Sequence, residues 1–366
     1  MPKGKNKGRR QRRREEQPLQ DGVVDGDELS GDNMSVTSST SDTRSVLVDD
    51  KMKDAIDGLT QKRKVTLTDG LERCLKKGGA EEQTVAATCI GLLLIQLGSN
   101  PESEMLFKEV RPQLNTIMAD TSRSPKVRAS CAQTLAIGSF IASEELEDIR
   151  NVMKSLENVF KASYLKGDGS TPSHTADVAA LHTSAISAWT LLLSIAPPPV
   201  IQNFLDSHLT KLPELLNSSD VDLRITTGEA IALIYELARE DDEASNFEGD
   251  DIIELCETLK QLATDSNKFR AKKDRRQQRA NFRDILKAVE EGDSPYYRVR
   301  FGLECLEIDS WTRKIQYDAL CHMLGTGMYV HLQENEIIRD IFGLGSPIPV
   351  SALPVCRGSK AERVSF

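Results

Sequence analysis

The sequence predicts an all-α fold, an armadillo/HEAT-like helical-repeat solenoid with a small C-terminal module and a disordered N-terminal tail. Four apolar segments align in register: "VAATCIGLLLIQLG" from Val85, "VRASCAQTLAIGSFIA" from Val127, "LHTSAISAWTLLLSIA" from Leu181 and "LRITTGEAIALIYELA" from Leu223, with starts 42, 54 and 42 residues apart. Each is followed by a second segment with apolar residues at helical spacing. Strand signals are nearly absent before residue 292. A two-helix unit recurring about every 40 residues is the period of HEAT and armadillo arrays.

Residues 1–50 open with the cationic block "KGKNKGRRQRRR" and continue into an acidic, Ser/Thr-rich stretch open to phosphorylation, with too few apolar residues to offset the entropy of ordering. The basic block reads equally as a nuclear localisation signal, an RNA contact or a solubilising tail. Residues 51–291 hold the repeats. The first column of the alignment is Val/Val/Leu/Leu, the fourth Thr88/Ser130/Ser184/Thr226, the ninth Leu93/Leu135/Trp189/Ile231 and the eleventh Ile95/Ile137/Leu191/Leu233. Small residues in the fourth and fifth columns let neighbouring helices approach closely. The longer interval contains "YLKGDGSTPSHTAD", expected as a surface loop. The second helices are "MLFKEVRPQLNTIM", "ELEDIRNVMKSLENVF", "VIQNFLDSHLTKLPELL" and "DIIELCETLKQLA". From 292 to 346 the pattern changes, with "YYRVRFGLECLEID" expected as a hairpin and "RKIQYDALCHML" as a helix. Residues 347–366 are expected to be unstructured.

Composition narrows the function. The seven cysteines form no C-x-x-C pair, the five histidines show no ligand spacing beyond Cys321-His322, and no metal site is expected. The basic start lacks an apolar core, so no secretory signal is read, and the longest apolar runs fall short of the ~20 residues of a membrane span. A soluble, intracellular protein with no membrane partner is expected. No Walker loop, G-x-S-x-G, H-E-x-x-H or Rossmann fingerprint occurs, so no enzyme, cofactor or small-molecule substrate is expected. His182 and His208 lie in helical patterns and read as structural; Trp189 occupies a core column; the acidic run Glu240–Glu243 reads as a solvated turn.

The charge distribution carries the functional signal. The net charge is −9, yet residues 1–14 carry eight cations and no acid, and "KFRAKKDRRQQRANFRDILK", residues 268–287, carries nine cations and two acids. At 100° per residue, Lys268, Lys272, Arg275, Arg276, Arg279, Arg283 and Lys287 fall within an arc of about 120°, while Arg270, Lys273, Asp274 and Asp284 lie off it. Phe282, Ile285 and Val289 form an adjoining apolar face able to dock on the preceding repeat. No acid interrupts the stripe before Glu290, so a nucleic-acid backbone is the expected negative surface, with a solvated face as the bland alternative.

The strings "LTDGLERCLKKG", "SYLKGDGSTP", "LRITTGEAIALIYELARE", "LATDSNKFRAKKDRRQQRANFRDIL" and "LQENEIIRDIFGLGSPIP" closely resemble the interferon-related developmental regulator family, its second paralogue more than its first, from about Asp49 to Pro349. The resemblance implies an armadillo/HEAT-like fold, no enzymatic activity, and binding to idle ribosomes and ribosomal RNA in the cytoplasm, where the protein represses translation by occupying functional space. It also implies an alternative, a nuclear transcriptional co-regulator scaffold that recruits deacetylase co-repressor proteins through the concave repeat surface. Two departures stand out. Family members usually carry a further repeat between an opening like "DDKMKDAIDGLT" and "RKVTLTDGLERCLKKG", which here nearly abut at Thr60-Gln61. They also end in an Arg/Lys-rich helical tail, which the resemblance links to silencing, whereas this chain finishes "VSALPVCRGSKAERVSF". It reads as a shortened isoform.

Overall fold

The structure, a computed structural model, describes residues 64–347 except 144, 241–250 and 265–271. The tail expected over 1–50, the stretch 51–63 and the expected unstructured end beyond 347 lie outside the described residues. In chain order the helices are α1 (Lys64–Lys77), α2 (Ala80–Leu97), α3 (Pro101–Ala119), α4 (Pro125–Ala142), α5 (Leu146–Phe160), α6 (Ala176–Leu193), α7 (Pro198–His208), α8 (Val221–Glu240), α9 (Ile252–Thr264) and α10 (Lys272–Glu291). A hairpin of β1 (Tyr297–Phe301) and β2 (Glu304–Ile308) follows, then α11 (Trp311–Leu324), α12 (Met328–Glu334) and α13 (Glu336–Ile341).

The four aligned segments are the cores of α2, α4, α6 and α8, which pack side by side as one layer. Their boundaries follow from local chemistry. Asn100 caps α3 by accepting from Ser103 N at 3.0 Å, with Pro101 at the first helical position, and Ser124 and Pro125 do the same for α4. Gly98, at φ +74°, ends α2. The second helices α3 and α5 each bury one stripe, Leu106, Phe107, Val110 and Leu114 in α3 and Ile149, Val152, Met153 and Leu156 in α5. Each rests mainly on the first helix of the next unit, α3 on α4 and α5 on α6. Gly138 in α4 makes the first of these contacts close, since a Cβ there would lie 2.2 Å from the Phe107 ring. The third second helix is interrupted: α7 stops at His208, and a 3₁₀ turn over Leu212–Asn217 carries the rest against α8, because Pro213 can donate no backbone bond. The insertion before α6 is a surface loop with a turn at Asp168-Gly169, where Ser170 N donates to Asp168 Oδ1.

The first-layer helices are apolar nearly all round because both of their faces are covered. α6 is long and apolar enough to cross a membrane, which its short run "WTLLLSIA" did not suggest; here it is a core helix, with Ala185, Ile186, Trp189 and Leu192 buried. Trp189 sits edge-on to Phe160, Phe204 and His208 at ring distances of 6.1, 5.6 and 5.1 Å. The second cover comes from the residues after 292. α11 packs on α2, α4, α6 and α8, and its Trp311, Ile315, Leu320 and Met323 join the same buried core.

That contact follows the repeat register. In the seventh column, Gly91 meets Met323, with an added Cβ 3.0 Å from its Cε, and Glu229 binds Lys314 at 2.7 Å. In the fourteenth, Ser194 accepts from Gln316 at 3.2 Å, and Glu236 accepts from the backbone N–H groups of Trp311 and Thr312 at 2.7 and 2.8 Å. The last pair places a carboxylate on the N-terminal end of α11, where the exposed N–H groups and the helix dipole favour it. α11 therefore runs back across the array from the fourth unit to the first. Asn335 completes the return by donating to Ile95 O of α2 at 3.2 Å. The hairpin is antiparallel, pairing Tyr297 with Ile308 and Phe301 with Glu304, and Gly302 turns it at φ +54°. Buried Arg339 fastens it, donating to both Glu304 carboxylate oxygens at 2.9 and 2.7 Å and to the carbonyls of Leu332, Leu344, Gly345 and Ser346.

Candidate nucleic-acid interface

The basic segment forms the fifth first-layer helix. α10 packs beside α8 and against α9, the second helix of the preceding unit, and on its remaining side no described helix makes more than marginal contact. Its rotation is set by one apolar face, with Gln278, Phe282, Ile285, Ala288 and Val289 buried, so the expected docking of Phe282, Ile285 and Val289 on the preceding repeat is what the structure shows. Gly228 of α8 permits the approach, since a Cβ there would lie 2.7 Å from Ile285 Cδ1 and 3.1 Å from Phe282 Cε1. Two arginines of α8 hold the helix, one in its first half and one at its C-terminal end. Arg224 donates to Gln278 Oε1 at 2.7 Å, and Arg239 donates to the carbonyls of Ala288 and Val289 in the last turn of α10, where free carbonyls favour a cation.

With that face anchored, Arg276, Arg283 and Lys287 are exposed together on the outer side. Their rise along the axis is about 10 Å from Arg276 to Arg283 and about 6 Å on to Lys287. Arg275 and Arg279 are half-buried at the shoulder of the stripe, with Arg279 Nε donating to Arg275 O at 3.2 Å. Lys272 opens the helix but its side chain is not described, and Lys268 lies outside the described residues, as does Arg270. The structure thus brings five of the seven expected cations to one side, three of them exposed. Glu290, the acid inside the arc, is drawn aside by an ion pair with Lys260 of α9. The hydrogen bond to Glu290 holds the Lys260 ammonium above its usual pKa. Burial pushes the Asp284 carboxyl up, against the pull of Lys287, Lys314 and Arg283.

Reading along one helix missed Lys260, Ala263 and Thr264. Together with Arg279, Arg283 and Leu286 they line a groove of about 360 Å³ between α9 and α10. Their signal in the sequence is faint: Lys260 is the one cation of α9, and nothing in spacing says which turn of α10 it will face.

The histidines expected to be structural are packed in the core. Ser163 Oγ lies 2.6 Å from His182 Nδ1, and burial drives the His182 pKa down to about 4. His208 stacks on Phe204 with Glu157 at 3.5 Å; burial lowers its pKa, with Glu157 opposing. Among the described residues no group of three His, Cys, Asp or Glu could hold a metal ion. Of the acidic run Glu240–Glu243, only Glu240, the last residue of α8, is described.

Comparison with known proteins matches residues 45–290 to the family model described as Interferon-related developmental regulator (IFRD). Over 303 residues the chain is 45% identical to Interferon-related developmental regulator 2 of Mus musculus, covering 82% of this chain and 68% of that protein. It is 45% identical to Interferon-related developmental regulator 1 of Sus scrofa and 44% identical to that of Homo sapiens, covering 82% of this chain and 67% of each. These identities do not favour one paralogue over the other, and the chain spans about two-thirds of each relative's length.

Proposed function

Because this chain belongs to the interferon-related developmental regulator family, we propose that it is a non-enzymatic, cytoplasmic ribosome-binding protein that represses translation by occupying idle ribosomes, with α10 against ribosomal RNA. The observation that carries this reading is the outer face of α10, where Arg276, Arg283 and Lys287 stand exposed on a helix locked by Arg224 and Arg239 from behind. A rigid row of cations offers phosphates a surface without ordering long side chains on flexible backbone, and each contact releases counterions. The alternative is a nuclear scaffold that recruits co-repressor proteins through the concave repeat surface.

The test is sedimentation of the tagged protein through sucrose gradients, with and without ribonuclease, beside Arg276→Glu/Arg283→Glu/Lys287→Glu. The parent protein should travel with intact ribosomes, and its affinity should fall by roughly 0.7–0.9 log unit per log unit of salt for each phosphate neutralised. The triple variant should lose co-migration while keeping its melting temperature. Unchanged co-migration of the variant would move the contact off α10. A ribosome-free nuclear complex for the parent would replace this reading with the scaffold.

A further inference from the structure

The groove between α9 and α10 differs in character from the stripe beside it. Its floor is apolar, made by buried Ala263 and half-buried Leu286, and its rim is cationic, made by Arg279 and Arg283, with Lys260 alongside in its ion pair with Glu290. Arg279 is steered by its Nε bond to Arg275 O, and its terminal nitrogens have no partner among the described residues. The groove spans one turn of α9, about 6 Å, and two turns of α10, about 10 Å. That is too short, and two apolar residues too few, for the i, i+3/i+4, i+7 anchors of a docked helix. It matches one planar apolar ring joined to one anion. A guanidinium can take a phosphate through two parallel N–H groups and can also stack on a ring.

We infer that this groove takes a single unpaired nucleotide of a bound RNA, its base on Ala263 and Leu286 and its phosphate against Arg279 and Arg283. The inference rests on the RNA-binding reading above and goes further, because it makes the protein prefer looped or single-stranded segments to continuous duplex. In a duplex the base faces are stacked and cannot enter, whereas an unpaired base can be splayed out.

The experiment compares two fluorescent RNAs of equal length and charge, a stem with an open loop and a fully paired duplex, by anisotropy at fixed salt. The protein should bind the looped RNA at least about fivefold more tightly, the lower bound for one stacked base. Ala263→Leu, which fills the groove without changing charge, should abolish the preference and leave duplex affinity unchanged, with melting temperature as the folding check. Should that variant misfold, 4-thiouridine in the loop of the bound RNA should crosslink the parent protein at peptides containing Ala263 or Leu286, and 4-thiouridine in the stem should not. Equal affinity of the parent for both RNAs, a preference that survives filling, or loop crosslinks only elsewhere would overturn the groove assignment. Arg276→Glu/Lys287→Glu, which leaves the groove lining intact, should weaken both RNAs equally and so reports on the stripe alone. Failure of the parent to bind either RNA would sink the RNA reading itself. Adenosine monophosphate binding at micromolar concentration, with no discrimination between the RNAs, would make the groove a free-nucleotide site and refute the assignment.

Discussion

Replacing Lys314 with Met removes the charge that ties α11 to the fourth unit of the array. Lys314 Nζ lies 2.7 Å from both Glu229 Oε1 of α8 and Asp318 Oδ2, and 5.8 Å from the centre of the Trp311 ring. Burial opposes the ammonium, but the two carboxylates outweigh it and its pKa is raised. Methionine keeps the methylene stem and the packing, so the change isolates the charge. Breaking a buried pair costs about 3–5 kcal/mol because the surviving charge is left uncompensated. The Lys314 and Glu229 side chains keep 19% and 16% of their exposure, which places the expected loss near the lower end. At about 3 kcal/mol the melting temperature should fall by roughly 6–12 °C. The deficit should depend on pH. Burial already raises the Glu229 carboxyl with Lys314 opposing, so without Lys314 its folded pKa rises further above the unfolded value. A carboxyl raised in the folded state destabilises above that pKa and is relieved as the pH falls through it, so the gap to the parent should narrow on moving from pH 8 towards 5. Lys314→Met/Glu229→Gln should recover about 1–2 kcal/mol of the single-variant loss. Denaturant melts at three pH values decide the matter. A loss under about 0.5 kcal/mol, a gap independent of pH, or a double variant as unstable as the sum of the singles would refute the account.

Three further outcomes are expected. His182 is held neutral with a folded pKa of about 4, so the stability it contributes is present above pH 6.5 and lost by about 1.4 kcal/mol per unit as the pH falls towards 4; His182→Gln should flatten that part of the stability profile in denaturant melts. Arg339→Met should cost about 3–5 kcal/mol, leave Glu304 without its partner and expose residues 343–347 to limited proteolysis, and Arg339→Lys should not rescue it because a point charge cannot reach both Glu304 oxygens and the surrounding carbonyls. Gly138→Ala should cost about 1–3 kcal/mol, read as a fall in melting temperature, because the new Cβ must displace the Phe107 ring.

Elements made by local pattern were legible. The four aligned segments form the cores of α2, α4, α6 and α8, the hairpin lies within the string expected for it, α11 contains its own, and the apolar face of α10 is the one read from the helical wheel. Departures came where a local signal competed with the pattern or where packing lay across the chain. Pro213 divides a helix that apolar spacing alone would continue. The groove joins two helices whose facing turns no periodicity specifies.

What the sequence determined by itself is the repeat: apolar columns at helical spacing, recurring every 42 residues or so, can bury themselves only by stacking in register. Its charge pattern likewise put the cations of α10 opposite an apolar face, since one helix period serves both. What the tertiary structure alone decided is the path of α11. The seventh and fourteenth columns read Gly91, Gln133, Ser187, Glu229 and Gly98, Phe140, Ser194, Glu236, mostly small or polar and thus indistinguishable from a solvent face. They become an interior surface only because Lys314, Gln316, Met323 and the N-terminal N–H groups of α11 return from some 75 to 230 residues away to meet Glu229, Ser194, Gly91 and Glu236. Pairing of that kind depends on two distant polar sets being complementary, a property of neither segment alone.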